Sequence, residues 1–298
     1  MEGGIVTGII VPACLALMMV GLGMTLVPDD FKRVVLYPKA TGVGLVFQMI
    51  LLPLTGFLVA SIFPLTPELA VGIMLIAACP GGVASNVITH LAKGDTALAV
   101  TLTIISSSLS LVSIPLIVTL SLTHFMGVES AVKLPILETI VKVFILTVPT
   151  VVAGMLIKWK APDFAKRSER AVNIGGLLFL LVLILGVGIK EKDLIIHETI
   201  NVGPATFSLC LLTTAIGYFG SRLLAVNREQ SVSVAIGTGF QNSALALVIA
   251  TSFIRNLQIA IPPAIYTMTM YLTAGAIIAF VNVRKPAGAS VPEPSPDN

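Results

Sequence analysis

Two short runs place hydrogen-bonding side chains directly behind residues that break helices. The first is Cys79-Pro80-Gly81-Gly82-Val83-Ala84-Ser85-Asn86, and the second is Gly237-Thr238-Gly239-Phe240-Gln241-Asn242-Ser243. Proline removes a backbone donor and collides with the preceding turn, and a mid-helix glycine costs ~1 kcal/mol relative to alanine. Each run lies within a stretch, Leu69–Ala92 and Gln230–Ile254, that contains no Asp, Glu, Lys or Arg. Backbone broken inside hydrocarbon leaves N–H and C=O groups unpaired unless protein or a water-filled cavity satisfies them. The chemistry open to such runs is non-covalent. Freed N–H groups at half-helix N-termini attract anions, and freed carbonyls attract cations. Two breaks at corresponding places in two halves point to a transporter binding site between inverted repeats. The alternative is a pair of kinked, packed helices in which Ser85 and Asn86 bond to their neighbours.

Nothing else in the chain suggests covalent chemistry. No nucleophile–base arrangement or carboxylate pair is visible, so an enzyme is not expected. Cys14, Cys79 and Cys210 sit in apolar stretches without metal-ligand spacing, and His124 and His197 share none. His90 reads as an interfacial residue at the end of its span, with proton carriage as the alternative. The hydroxyls of Thr101, Thr103, Ser106, Ser107, Ser108 and Ser110 read as helix-packing groups.

The elements that must hold these runs are transmembrane helices. Of 298 residues 56% are hydrophobic and 11% charged, with a mean hydropathy of +1.00, whereas soluble domains carry about 25% charged residues. Charge-free stretches run Gly3–Pro28, Ala40–Pro67, Leu69–Ala92, Thr96–Val128, Val143–Ile157, Ala171–Ile189, Thr199–Ser221, Gln230–Ile254 and Asn256–Val283. About 20 apolar residues cross a bilayer, so an all-α polytopic membrane protein with nine transmembrane helices is expected. A soluble enzyme, a nucleic-acid binder and a secreted domain are excluded. Between spans, 13 basic residues, from Lys32 to Lys285, fall on one side and 4 (Lys133, Lys190, Lys192, Arg255) on the other. The positive-inside rule then puts the N-terminus outside and the C-terminus in the cytoplasm. The cluster Lys158–Arg170 reads as a topology determinant beside an interfacial Trp159. The start Met1-Glu2-Gly3-Gly4 lacks the basic region of a signal peptide, and 287–298 reads as a disordered cytoplasmic tail.

At the two runs the chain resembles the bile acid:sodium symporter family. The match covers Gly21 to Val283. It includes Gly23-Met24-Thr25-Leu26 with Asp29-Asp30-Phe31-Lys32, and Gln48 with Pro53-Leu54. It continues through Pro80-Gly81-Gly82, Ser85-Asn86, Thr89, Leu91-Ala92 and Gly94-Asp95, then Gly239, Gln241-Asn242-Ser243 and Leu245-Ala246. The resemblance implies an inverted-repeat fold of two five-helix repeats lacking the first helix, with two broken, crossing helices. Panel helices would occupy 3–28 and 133–189, and core helices 40–128 and 199–283, broken near 80–86 and 237–243. It implies an organic-anion substrate such as a bile salt, pantoate or a keto acid, carried across the inner or plasma membrane. It also implies two sodium ions, one at Ser85, Asn86 and Thr103, the other at Gln48, Gln241, Thr238 and Phe240. The anion would lie against Gly82, Val83, Asn242, Ser243, Met270 and Tyr271. No cofactor beyond sodium is implied.

The departures are as informative. The family's glutamate four residues before the glutamine of its Gln-Asn pair is Gly237 here, and a family serine is Ala99. Without a carboxylate, desolvation of a cation is poorly compensated, so ordinary two-sodium coupling is expected to be impaired or absent. Lys142, spaced i,i+4 from Glu138, is a candidate substitute charge facing the anion path. Its alternative is a salt-bridged pair near the outer interface, the lysine snorkelling. Two rival functions remain open: a proton-coupled or uncoupled facilitator, and a non-transporting membrane sensor or scaffold.

Overall fold

A computed structural model describes residues 38–127, 149–165 and 192–283, together with positions 13, 16–17, 20–21, 23–24, 167–168 and 175. Lys142, Glu138, the tail at 287–298 and most of the expected panel segments 3–28 and 133–189 lie outside the described residues. Among the described residues all regular structure is helical.

Helix α1 (Pro38–Val46) passes through a π-turn at Phe47–Leu51 into α2 (Leu52–Ile62). Next come α3 (Pro67–Ala78) and α4 (Val83–Leu91), then α5 (Thr96–Ser121), which ends in a π-turn at Leu122–Met126. Beyond the helical stretch at 149–160, α6 (Lys192–Ala215) runs through a π-turn at Ile216–Gly220 into α7 (Ser221–Leu223). Helices α8 (Arg228–Gly239) and α9 (Ser243–Val248) follow, the latter extended by π-turns to Ile254, and α10 (Leu257–Val283) closes the set. The same order occurs twice: a long helix with a π-turn, a helix broken in its middle, and a second long helix.

Among the described residues three continuous helices, Pro38–Ile62, Glu198–Leu223 and Leu257–Ala279, are long and apolar enough to cross a membrane. The stretch 96–128, expected as a single span, is sharply bent. Its halves Thr96–Ser110 and Val112–Met126 meet at 60°. Pro115 supplies the cause, because a proline ring collides with the carbonyl four residues earlier, here Leu111. Helix α3, at 12 residues, rises only ~18 Å. It needs α4 beyond the break to complete a ~30 Å crossing.

Helix α3 lies at the centre of the packing. All ten residues from Leu69 to Ala78 are buried, and a helix that is apolar all round belongs in an interior. Gly72 allows α10 to approach, since a Cβ there would meet the Ile259 carbonyl and the Pro262 ring at 2.6 Å. Gly56 does the same for α2, where a Cβ would sit 2.5 Å from that of Ala77. A Cβ on Gly23 would overlap the Val151 carbonyl, and one on Gly154 the Val20 carbonyl, so the backbone around Gly23 touches that around Gly154 directly. Large apolar side chains point outward from the same helices, including Ile200 and Leu272 at 74% exposed and Val112 at 70%. Such a surface fits lipid rather than water. Polar caps sit at the ends: Asp95 Oδ1 accepts from Leu98 N at 3.0 Å and Asn227 Oδ1 from Gln230 N at 2.8 Å.

Candidate functional site: the crossing of two broken helices

The breaks are narrower than expected. Helix α3 stops at Ala78 and α4 begins at Val83, while α8 stops at Gly239 and α9 begins at Ser243. Ser85 and Asn86 therefore stand in the first turn of α4, and Gly237 and Thr238 in the last turn of α8. The extended residues between them meet. Gly81 and Gln241 form an isolated antiparallel bridge. Gly82 N donates to Phe240 O at 3.3 Å and Asn242 N to Pro80 O at 2.8 Å. Each break thus pairs the backbone groups that the other frees, as burial in hydrocarbon demands.

Side chains complete the bridge. Asn242 caps α9 by accepting from Leu245 N at 3.1 Å. The Tyr266 hydroxyl, fully buried on α10, donates to Gly239 O at 2.7 Å. The Cys210 thiol donates to the same carbonyl at 3.5 Å. Neither Tyr266 nor Cys210 stands out in the sequence as a site residue, because each is one apolar-compatible residue within a span.

Gln48 enters the crossing from the π-turn. Leu52 N donates to Phe47 O, five residues back, and Pro53, unable to donate to Met49, gives the turn its reason to widen. Gln48 is 2% exposed, and neither its Nε2 nor its Oε1 has a partner. Its amide fills the space beside Gly237, where a Cβ would lie 2.6 Å from Gln48 Nε2. Around Gly81 the geometry is roomier. A Cβ built there would have Gly237 O and Ser85 Oγ at 3.6 Å and Gln48 Nε2 at 3.7 Å. Gln241 is also 2% exposed; its Nε2 donates to Thr238 O at 2.6 Å and Gly237 O at 3.3 Å, and its Oε1 has no partner.

The other expected residues divide clearly. The Ser85 hydroxyl donates to Gly82 O at 2.6 Å. Thr103 Oγ1 lies 3.1 Å from Asn86 Oδ1 and 2.9 Å from Ala99 O, so Thr103 and Asn86 are joined to each other. The Thr238 hydroxyl is committed to Val234 O at 2.6 Å within its own helix. Phe240 is buried, and its carbonyl accepts from Gly82. The Ser243 hydroxyl is buried without a partner. Val83 opens α4, but its side chain lies outside the described residues. Met270 packs into the main core beside Tyr266, whereas Tyr271 is 43% exposed. Successive helix positions diverge by about 100°, so those two do not share one wall. Among the described residues, no group of three His, Cys, Asp or Glu side chains could hold a metal ion.

Comparison with known proteins gives a consistent set. The model of the Sodium Bile acid symporter family matches residues 12–198. An uncharacterized sodium-dependent transporter of Bacillus subtilis is 30% identical over 271 residues, covering 89% of this chain and 81% of the relative. A probable chloroplastic sodium/metabolite cotransporter of Oryza sativa is also 30% identical over 271 residues, but only 62% of its own length is covered. The human ileal sodium/bile acid cotransporter is 27% identical over 280 residues, covering 93% of this chain and 79% of the relative.

Proposed function

This chain belongs to the sodium bile acid symporter family, and we propose that it carries an organic anion across a membrane by alternating access around the crossed breaks. The observation that carries this reading is the Gly81–Gln241 bridge, flanked by buried polar atoms without partners in an apolar helical protein. A purely structural kink has no use for such atoms, because each buried unsatisfied group costs about 1–3 kcal/mol. A binding site recovers that cost when its ligand arrives. Acceptors on one side of the bridge suit a co-transported cation. The opened start of α4 and the unpaired Ser243 hydroxyl suit an anion on the other.

In this reading nine spans form two inverted repeats. The N-terminus faces outward, the C-terminus faces the cytoplasm, and the protein lies in the inner or plasma membrane. The twice-repeated element order supports the inverted repeats. The helices at 40–128 and 199–283 rock against a panel formed by 3–28 and 133–189. Gly82, Val83, Asn242 and Ser243 meet the anion, with Met270 or Tyr271 on its apolar side. The relatives' names speak of bile acid and metabolite. Counterflow in proteoliposomes tests the reading. Vesicles preloaded with unlabelled bile salt, pantoate or pyruvate should accumulate the matching labelled anion transiently. Absence of exchange with every anion of the panel refutes it.

A second transport reading has one observation in its favour. Among the described side chains, no carboxylate stands within either break, and Gly237 supplies none. A facilitator driven by protons or by the anion gradient alone would show counterflow indifferent to sodium.

A further inference from the structure

We infer that the segment from Trp159 to Arg167 docks on anionic phospholipid, its headgroup phosphate meeting Lys160 and Arg167 beside the exposed rings of Trp159 and Phe164. The site is independent of the transport reading. From Lys158 to Arg170 the chain carries five basic residues (Lys158, Lys160, Lys166, Arg167, Arg170) against two acidic ones (Asp163, Glu169), a net +3. Such a density beside a membrane span attracts an anionic surface. Any topology determinant offers as much charge. What sets this segment apart is the order of side chains along one helix face.

The helical stretch at 149–160 is carried past Ala161 by two backbone bonds, Ala161 N to Ile157 O at 2.8 Å and Ala165 N to Ala161 O at 3.0 Å. Gly154, against the backbone around Gly23, and the fully buried Ala165 mark its inward side. The outward side follows helical spacing through Val152, Leu156, Trp159, Lys160, Phe164 and Arg167, all of them exposed. Its chemistry changes along the way. Val152 and Leu156 suit acyl chains, and Trp159, 73% exposed, is of the type that settles where hydrocarbon meets headgroups. Lys160 follows directly, at headgroup depth, and the long side chain of Arg167 reaches back towards it. Between them Phe164 is 60% exposed. A ring flanked by two cations fits a headgroup layer better than water, because upper acyl carbons cover the ring while phosphates meet the cations. Among the described residues, neither Lys160 nor Arg167 is held in an ion pair or hydrogen bond, although Asp163 stands at helical spacing from both. Their charges are open to a ligand from outside. A zwitterionic lipid brings its own cation to the same place, so the selection is for a net negative headgroup.

Trp159 is the chain's single tryptophan, so the site carries its own reporter. The full chain is reconstituted in phosphatidylcholine bilayers in which a fixed fraction of lipid is replaced by phosphatidylglycerol or phosphatidylcholine brominated high in the acyl chain. Quenching of Trp159 fluorescence then compares the two lipids at the site. Wild type should prefer the brominated phosphatidylglycerol about fivefold, the gain of one basic side chain near an anionic surface. The preference should fall to parity in Lys160→Gln/Arg167→Gln, and in about 1 M salt, which screens charges beyond ~3 Å. Lys160→Arg/Arg167→Lys should keep it, because the charges remain. Lys93→Gln/Arg228→Gln should keep it too, since it removes the same charge from exposed positions elsewhere. Equal quenching of wild type by the two lipids overturns the inference and leaves the cluster to topology. A preference retained by Lys160→Gln/Arg167→Gln, or lost equally in Lys93→Gln/Arg228→Gln, overturns it by giving the selection to other charges. Loss of the preference on adding inorganic phosphate at constant ionic strength overturns it by giving the two cations to a soluble anion.

Discussion

Gly237 and Gln48 should behave as one unit, and a double-mutant cycle in the absence of sodium can measure it. In Gly237→Ala the new Cβ would lie 2.6 Å from Gln48 Nε2, with Leu102 Cδ1 at an ordinary 3.9 Å. Optimal contact needs about 3.5 Å or more, so the Gln48 amide must swing aside by roughly an ångström. Replacing a helical glycine by alanine gains about 1 kcal/mol. Forcing one or two torsions of a buried side chain away from their wells costs about 0.5–1.5 kcal/mol each. The single variant should thus be neutral or mildly destabilised. Once Gln48→Ala has vacated the space, the same change keeps its full gain of about 1 kcal/mol. The coupling is then about 1–2 kcal/mol, within the range typical of residues in contact. For a chain of this size that corresponds to a departure from additivity of roughly 2–4 °C in melting temperature. The assay is thermal unfolding of the four proteins in detergent and choline chloride. Additivity within about 0.5 kcal/mol would refute the placement of the Gln48 amide beside Gly237.

Tyr266→Phe should lower stability by about 1–2 kcal/mol, because Gly239 O then keeps only the thiol of Cys210 as donor; thermal unfolding reads the loss directly. Pro53→Ala restores an N–H that can reach Met49 and favours an ordinary helix over the π-turn. Gln48 should then rotate by about 100° relative to α2, and anion counterflow should fall while thermal stability is kept or improved. Cys79 and Cys210 are 1% and 0% exposed. In a Cys14→Ala background both should resist maleimide until the protein unfolds, so labelling and thermal unfolding should share one midpoint.

The breaks are legible in the sequence because proline and glycine act locally. Pro80, Gly81 and Gly82 can be read as a helix interruption from three adjacent letters, and the polar residues behind them as its purpose. The meeting of the two runs is legible only through resemblance, since Gly81 and Gln241 are 160 positions apart and no local pattern pairs them. The π-turn at Phe47–Leu51 has a signal in Pro53, as does the bend of α5 in Pro115. A proline inside an apolar stretch announces a distortion without saying whether the helix widens, bends or stops. The reciprocal fit of Gln48 and Gly237 is invisible, because a missing side chain reads as a loss until its neighbour is seen to fill the space. Tyr266 is equally hidden. Its hydroxyl matters for one carbonyl on another helix, and nothing in its own neighbourhood shows that.

The bridge also bears on how the chain is made. Pro80 O and Gly82 N find their partners only in Asn242 and Phe240, which a ribosome reaches some 160 residues later. Until then the first break sits in the bilayer, or in the insertion machinery, with open backbone groups. The first half should therefore be a poor substrate for the membrane and a good one for quality-control proteases. Expression of the two halves as separate polypeptides would make this visible: each alone should be short-lived, and each should rescue the other.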